Sequence, residues 1–327
     1  MSFNYDVIVI GSGPGGEGAA MKCVKAGKSV AVIDMFYEVG GSCTHRGTIP
    51  SKALRQNIQK IAETGLNRGK SYQEILNACN PVVQQQIQLR RGFYSRNNID
   101  VINGKAEFED RNTVKVLFPN GGTEKYTSRY FIIATGSRPY HPPDVNFDHP
   151  RILDSDTILT TGFNPRSIII YGAGVIGCEY ASIFRGLQIK VNLINNRERL
   201  LTFLDDEISD ALSYHLRENG VLIRNNETYT KVEADDKQVS LHLASNKIIT
   251  ADLLLWAQGR TGNSDTLGLE KTGITFDTRG SVRINEFHQT ECPNIYAVGD
   301  VVGFPSLASA AYDQGRFAAS HIVDGIS

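Results

Sequence analysis

An α/β fold containing two Rossmann-like units is predicted by three features of the 327-residue sequence. A short apolar run enters a G-x-G-x-x-G turn and then a small-residue helix at Gly11, and the whole pattern returns at Gly172. In both copies a second apolar run ends 23 residues after the first glycine, on Asp34 and on Asn195. Two further buried-type runs, Tyr130–Gly136 and Asn294–Val298, also close on glycine.

Taken in order, Tyr5–Ile10 is rich in β-branched residues and stops at glycine, the pattern of a strand buried on both faces. A helix is expected from about Pro14 to Ala26, then a strand over Ser29–Asp34. Residues 51–98 read as largely helical and polar on one side, with Pro81 kinking or breaking the run. Short strands are expected around Val101 and Val114, with a turn at Asn120-Gly121-Gly122. Residues 137–150, rich in proline and histidine, read as a linker. The second unit then runs as strand (Ser167–Tyr171), glycine turn (Gly172–Gly177), helix (Cys178–Gly186) and strand (Lys190–Asn195). A last strand over Asp252–Ala257 leads to a turn at Gly259. The two glycine motifs lie 161 residues apart, far beyond the 20–50 residues of a solenoid repeat, so this is a duplicated βαβ unit.

Composition narrows the function. A formal net charge of −1 gives no electrostatic attraction to nucleic acid or to an anionic membrane. The five cysteines are scattered and contain no C-x-x-C, which indicates neither a disulfide framework nor a zinc site. The seven histidines show no H-x-x-x-H or H-E-x-x-H, so no metal site is expected. The N-terminus has no basic stretch followed by a long apolar run, and no window approaches the roughly 20 apolar residues of a membrane helix. A cytoplasmic location is the expectation.

The glycine motifs have a physical reading. In Gly11-Ser12-Gly13-Pro14-Gly15-Gly16 the first glycine permits a tight turn and the second lets backbone approach a pyrophosphate. The third lets helix and strand pack closely, and the helix N-terminus attracts the phosphate charge. Asp34 stands where a carboxylate accepts hydrogen bonds from an adenosine ribose diol. Gly172-Ala173-Gly174-Val175-Ile176-Gly177 repeats the cradle with neutral Asn195 at the equivalent place, followed by Arg197 and Arg199. A carboxylate there would repel a 2′-phosphate and an arginine can bind one; alternatively both arginines solvate a surface loop. One cradle therefore suits FAD and the other NAD(H) and NADP(H). An enzyme holding both a flavin and a nicotinamide moves hydride between them.

The two glycine fingerprints, the segment GGSCTHRGTIPSK and the segment TECPNIYAVGD together resemble the flavoprotein disulfide reductase family over the whole chain. The resemblance implies a glutathione-reductase-like architecture with the second domain inserted in the first: 1–148 for FAD, 149–266 for NAD(P), and 267–327 returning to the FAD domain. It implies FAD held by the first cradle, Asp34, Met35, Gly40, Gly41, Ser42, Cys43, Ala134, Thr135, Gly136, Gly299, Asp300 and Ala308. It implies nicotinamide nucleotide on the second cradle with Asn195, Arg197, Arg199 and Gly259, and a Lys52–Glu179 ion pair near the flavin ring. The resemblance also implies a C-terminal domain that makes a homodimer or higher oligomer in relatives, and its absence from this chain is the expectation.

Family members place two cysteines in C-x4-C spacing at Cys43, and here the second is Thr48. That departure, with GAGVIGCEYASIFRGL and PSLASAAYDQGR, looks closest to the soluble pyridine nucleotide transhydrogenase branch. A dithiol needs two sulfurs to close its cycle, so electrons on the flavin would return to a second nicotinamide rather than pass to a disulfide. The implied reaction is ping-pong hydride transfer between NADPH and NAD+, with Cys43 either a packing residue beside the flavin or a thiol activated by His45 and Arg46. Alternatives are a dihydrolipoamide dehydrogenase-like enzyme, an NAD(P)H oxidase and a catalytically inactive flavin-binding fragment.

Overall fold

The structure is a computed structural model that describes residues 3–64 and 69–325. In chain order the first elements are β1 (Tyr5–Ile10), α1 (Pro14–Lys25), β2 (Val30–Asp34), α2 (Gly41–His45), α3 (Thr48–Thr64), α4 (Tyr72–Asn77) and α5 (Asn80–Arg96). Strands β3 (Asp100–Asn103), β4 (Lys105–Asp110), β5 (Thr113–Leu117), β6 (Thr123–Ile133), β7 (Ser137–Pro139) and β8 (Ile152–Asp154) follow. Then come β9 (Ser167–Tyr171), α6 (Val175–Gly186), β10 (Lys190–Ile194), α7 (Asp206–Glu218) and β11 (Leu222–Arg224). The chain closes with β12 (Tyr229–Ala234), β13 (Val239–Leu243), β14 (Ile248–Ala251), β15 (Leu253–Trp256), β16 (Arg260–Gly262), β17 (Ile295–Ala297) and α8 (Ala308–Asp324).

The chain divides into two compact units: Met1–Ile49, Val83–Arg138 and Arg260–Ser327 form one, and Pro50–Val82 with Pro139–Gly259 form the other. The sequence reading set its changeovers at 148/149 and 266/267, whereas these units change over at 138/139 and 259/260. Pro50–Val82 groups with the second unit because its apolar face belongs to that unit's core: Leu54, Ile58, Tyr72 and Ile75 cluster with Ile158, Ile168 and Phe184.

In the first unit a parallel arrangement runs β3-β2-β1-β6, with β17 on the far side of β6. The early half of β6 leaves this sheet to pair antiparallel with β5, and β5 with β4. One face of the sheet is sealed by Ile8, Ile33, Phe131 and Phe108, the other by Val7, Val32, Tyr94 and Ile132. Helices α1 and α8 pack backbone to backbone: a methyl group on Gly18 would strike the carbonyl of Tyr312, and one on Gly315 the carbonyl of Gly15.

The second unit has an all-parallel sheet ordered β11-β10-β9-β15-β8, and an antiparallel meander β12-β13-β14. Strands β9 and β15 are in register from Ile168↔Leu253 to Tyr171↔Trp256. The only tryptophan, Trp256, is buried among Tyr171, Tyr229 and Phe147.

Several local expectations shift. Helix α6 starts at Val175 rather than Cys178, because Gly174 is its N-cap and the third glycine falls inside the first turn. The first helix of the 51–98 stretch starts at Thr48, and Pro81 stands in the first turn of α5, where its missing N–H leaves no helical bond unmade. Residues 65–68 of that stretch lie outside the described residues. Strand β6 begins at Thr123, since its early part is an exposed alternating ribbon rather than a buried run, and the expected linker opens with the short strand β7.

Candidate functional site

In the first unit the glycine turn after β1 is fixed by one hydroxyl. Ser12 Oγ donates to Asp34 Oδ2 (2.5 Å) and accepts from the Gly40 N–H (3.0 Å), while the Ser12 N–H donates to the same carboxylate oxygen (2.8 Å). Asp34 Oδ1 accepts from the Phe36 N–H (2.9 Å). Asp34 is therefore buried at the end of β2 and holds the turn, and Met35 beyond it is exposed. Gly40 and Gly41 have φ of +113° and +59°, left-handed backbone that suits glycine. A side chain on Gly41 would reach 2.7 Å from the Gly13 Cα, so the two loops need glycine to approach each other.

Helix α1 starts from Gly13 with Pro14 in its first turn and no side-chain cap. Its first-turn N–H groups are left for a ligand. Gly16 must be glycine, since a methyl group would collide with the Gly11 carbonyl. Ala134 continues from β6 through its N–H to the Ile10 carbonyl (2.8 Å). Thr135 and Gly136 are clamped by Asn263, which donates to the Thr135 carbonyl (2.9 Å) and to the Gly136 carbonyl (3.0 Å) and accepts from Thr135 Oγ1 through its own carbonyl (2.8 Å). Asp300 accepts from Ser137 Oγ (2.9 Å), Gly299 donates to Gln314 Oε1 (2.8 Å), and Ala308 opens α8, whose N-terminus also lacks a side-chain cap. Cys43 lies in α2 beside exposed Ser42. Burial pushes its thiol above the ordinary value, opposed by a hydrogen bond from Thr48 and by the nearby Arg90 guanidinium.

In the second unit α6 likewise starts from a glycine with no side-chain cap, and a methyl group on Gly174 would meet nothing within 4 Å. Gly177 must be glycine, as a methyl group would collide with the Gly172 carbonyl. Val175 is exposed and Ile176 half-buried on the opening turn. Asn195 points inward at 3% exposure: its Nδ2 donates to the Arg199 carbonyl (3.0 Å) and to Asn225 Oδ1 (3.2 Å), and its Oδ1 accepts from the Arg197 N–H (3.2 Å). It shapes the arginine loop rather than facing outward. Arg199 is engaged by Asp206 and Asp210, whereas Arg197 donates to Thr202 Oγ1 (2.5 Å). Lys52 Nζ and Glu179 Oε1 form the expected ion pair at 2.5 Å, with Ser51 Oγ at 3.4 Å from the same oxygen. Gly259, at φ +100°, follows β15.

A pyridine nucleotide-disulphide oxidoreductase model matches residues 5–315. The chain belongs to that family. Soluble pyridine nucleotide transhydrogenases are similar over nearly its full length. That of Stutzerimonas stutzeri (strain A1501) is 57% identical over 334 residues, and that of Enterobacter sp. (strain 638) is 55% identical over 333. Each alignment covers 99% of this chain and 72% of the relative. Among solved structures, the Cu(II) complex of the HOCl-induced flavoprotein disulfide reductase RclA from Escherichia coli superposes with a TM-score of 0.89. It is 29% identical, and the match covers 98% of this chain and 71% of that one.

Pyridine nucleotide-disulphide oxidoreductases use FAD and NAD(P)H, and the residues present fit both groups. Three helix N-termini without side-chain caps, two of them on glycine, suit the phosphates of dinucleotides. The two cradles keep an open second glycine and a third glycine that admits no side chain.

The sequence reading missed residues with no motif to mark them. Ser12 and Asn263 organise the loops of the first unit's glycine turn and of β6 through side-chain bonds to segments 28 and 128 positions away. Glu17 and Arg90 form a nearly buried ion pair at 3.2 Å behind the first cradle. Only three-dimensional proximity reveals such partners. The placing of Glu17 one residue after the cradle was the one available signal.

Proposed function

We propose that this chain carries out hydride transfer between NADPH and NAD+ at the first and second cradles, in the manner named for its relatives, in a ping-pong cycle without a redox-active disulfide. The observation that carries the reading is Thr48, whose hydroxyl hydrogen-bonds Cys43 where the resembled family sets a second sulfur. A hydroxyl cannot enter thiol–disulfide exchange, and desolvation of the half-buried Cys43 favours its thiol form, so no internal route leads electrons to a disulfide substrate. FAD, when bound, supplies the two-electron carrier that accepts hydride from one nicotinamide nucleotide and returns it to another.

The protein's part is positioning. The first cradle, Asp34 and the Asn263 clamp bind and orient the flavin dinucleotide, and the second cradle takes NAD(H) and NADP(H) in turn. Arg197, with no carboxylate partner among the described residues, supplies charge for the 2′-phosphate. Lys52 is fixed by Glu179 in the ion pair that the resemblance sets near a flavin ring. No general acid or base is assigned, since hydride transfer moves no separate proton. The reaction fits the cytoplasm, where both nucleotide pools occur, and among the described residues no helix is long and apolar enough to cross a membrane.

The test is a purified, flavin-loaded chain assayed for hydride transfer from NADPH to thio-NAD+, with lipoamide and oxygen as competing acceptors. Cys43→Ser is expected to retain transfer within about twofold with flavin bound. Loss of transfer in that variant, or lipoamide turnover by the wild type, overturns the reading.

A further inference from the structure

We infer that Gln258 is a nucleotide-positioning residue of the second cradle, its side-chain amide donating a hydrogen bond to the pyrophosphate–ribose portion of a bound nicotinamide nucleotide. The inference rests on the function proposed above and extends it to a residue that neither glycine motif contains.

Three observations meet at this residue. First, its Nε2 is buried and has no hydrogen-bond partner among the described residues. Buried polar groups are satisfied in nearly all folded proteins, so an unsatisfied amide calls for a partner that arrives later. Second, Gln258 follows directly on β15, and the end of that strand abuts the cradle. The Ala257 N–H donates to the Tyr171 carbonyl (2.8 Å), and a methyl group on Gly172 would stand 3.2 Å from the backbone nitrogen of Gln258, so the backbone at Gln258 lies against the cradle's first glycine. Third, β9 has β10 on one side and β15 on the other, so the connection after β9 and the return through β15 diverge there. In parallel α/β sheets, ligands bind in the crevice outside the carboxyl ends of the strands at such a divergence. Gln258 stands at its rim, on the side away from Asn195 and the arginine loop.

The placement decides which part of the ligand it meets. The adenosine end is served by the loop after β10, where Asn195, Arg197 and Arg199 lie. The α6 N-terminus at Gly174 takes the phosphates. A group on the β15 side therefore faces the pyrophosphate and the ribose beyond it. An amide is a fitting donor there, since it discriminates neither NAD from NADP nor reduced from oxidised ring.

Isothermal titration of the flavin-loaded full chain tests this with NAD+, NADP+, ADP-ribose and 2′,5′-ADP, the last lacking pyrophosphate and second ribose. One neutral hydrogen bond corresponds to a loss of about three- to tenfold. Gln258→Leu is expected to raise Kd by that factor for NAD+, NADP+ and ADP-ribose and to leave 2′,5′-ADP unchanged. Gln258→Glu, which brings a negative charge toward the phosphates, is expected to weaken the same three ligands further, and Gln258→Asn to restore part of the loss. In turnover the change should fall on KM for both nucleotides, with kcat within about twofold.

Unchanged affinity for ADP-ribose in both Gln258→Leu and Gln258→Glu overturns the assignment, as does equal weakening of 2′,5′-ADP. A wild-type chain that binds NAD+ and ADP-ribose normally but transfers no hydride refutes the proposed function and leaves Gln258 standing. A wild-type chain that binds neither removes both.

Discussion

Arg197 and Arg199 are two positions apart in sequence and occupy different electrostatic settings. Arg199 is held by Asp206 and Asp210, and the Asp206 hydrogen bond and charge raise its already high pKa. Its positive charge is largely answered within the protein. Among the described residues the Arg197 guanidinium has a neutral hydroxyl partner, Thr202, and no carboxylate. A phosphate gains most from the cation that has no carboxylate beside it. Arg197→Ala is therefore expected to raise KM for NADPH about tenfold relative to NADH, and Arg199→Ala to shift that ratio by less than about threefold. Steady-state kinetics with both nucleotides decide, and the reverse ranking would show that the Asp206 pair opens on binding. The sequence made these two arginines equivalent because acidic partners seven and eleven residues further on become neighbours only when α7 folds back. Asn195 was legible as a neutral position and illegible as an inward-facing brace, since its partners Arg199 and Asn225 are set by the loop's path.

At the scale of the element, the glycine cradles were the most readable feature. Strand, turn and helix are local, and each glycine answers a local steric demand: left-handed φ at Gly11 and Gly172, and no room for Cβ at Gly16 and Gly177. Gly177→Ala should cost about 2–3 kcal/mol as backbone carbonyl and helix are forced apart. Equilibrium urea unfolding should register that loss together with abolished NAD+ binding, while flavin content stays at the wild-type level because the first cradle is untouched. Loss of flavin in that variant would mean that the two cradles do not fold as separate units. Less legible were the antiparallel strands β12–β14, which are four to six residues long and, in β12 and β14, largely without buried positions. Helix α7 also escaped notice, although its polar and apolar residues segregate onto opposite faces, because Ile208 and Tyr214 are exposed and only Ser209 and Leu216 are buried. The allotment of Pro50–Val82 to the second unit could not be read at all, because it depends on which sheet its apolar face meets.

For the whole molecule, acid sensitivity has an identifiable contributor. Burial alone would raise the pKa of Asp154, but N–H groups of Thr157 and Asp156, the Thr157 hydroxyl and the His141 ring (2.7 Å) together hold it below its usual value. A carboxylate whose folded pKa is depressed stabilises the fold fully above the ordinary aspartate value of about 3.9 and loses that contribution as pH falls through the folded pKa. Urea unfolding between pH 7 and pH 3 should thus show a steep acid limb in the wild type and a shallower one in Asp154→Asn, which starts about 1 kcal/mol less stable at pH 7. Equal slopes would exclude Asp154 as a source of the acid lability. The same unit holds the sole indole of the chain, Trp256, enclosed by Tyr171, Tyr229 and Phe147 at the end of β15. Ultraviolet light absorbed by the neighbouring phenols is passed to that ring, so tryptophan emission from this polypeptide originates in the second unit alone.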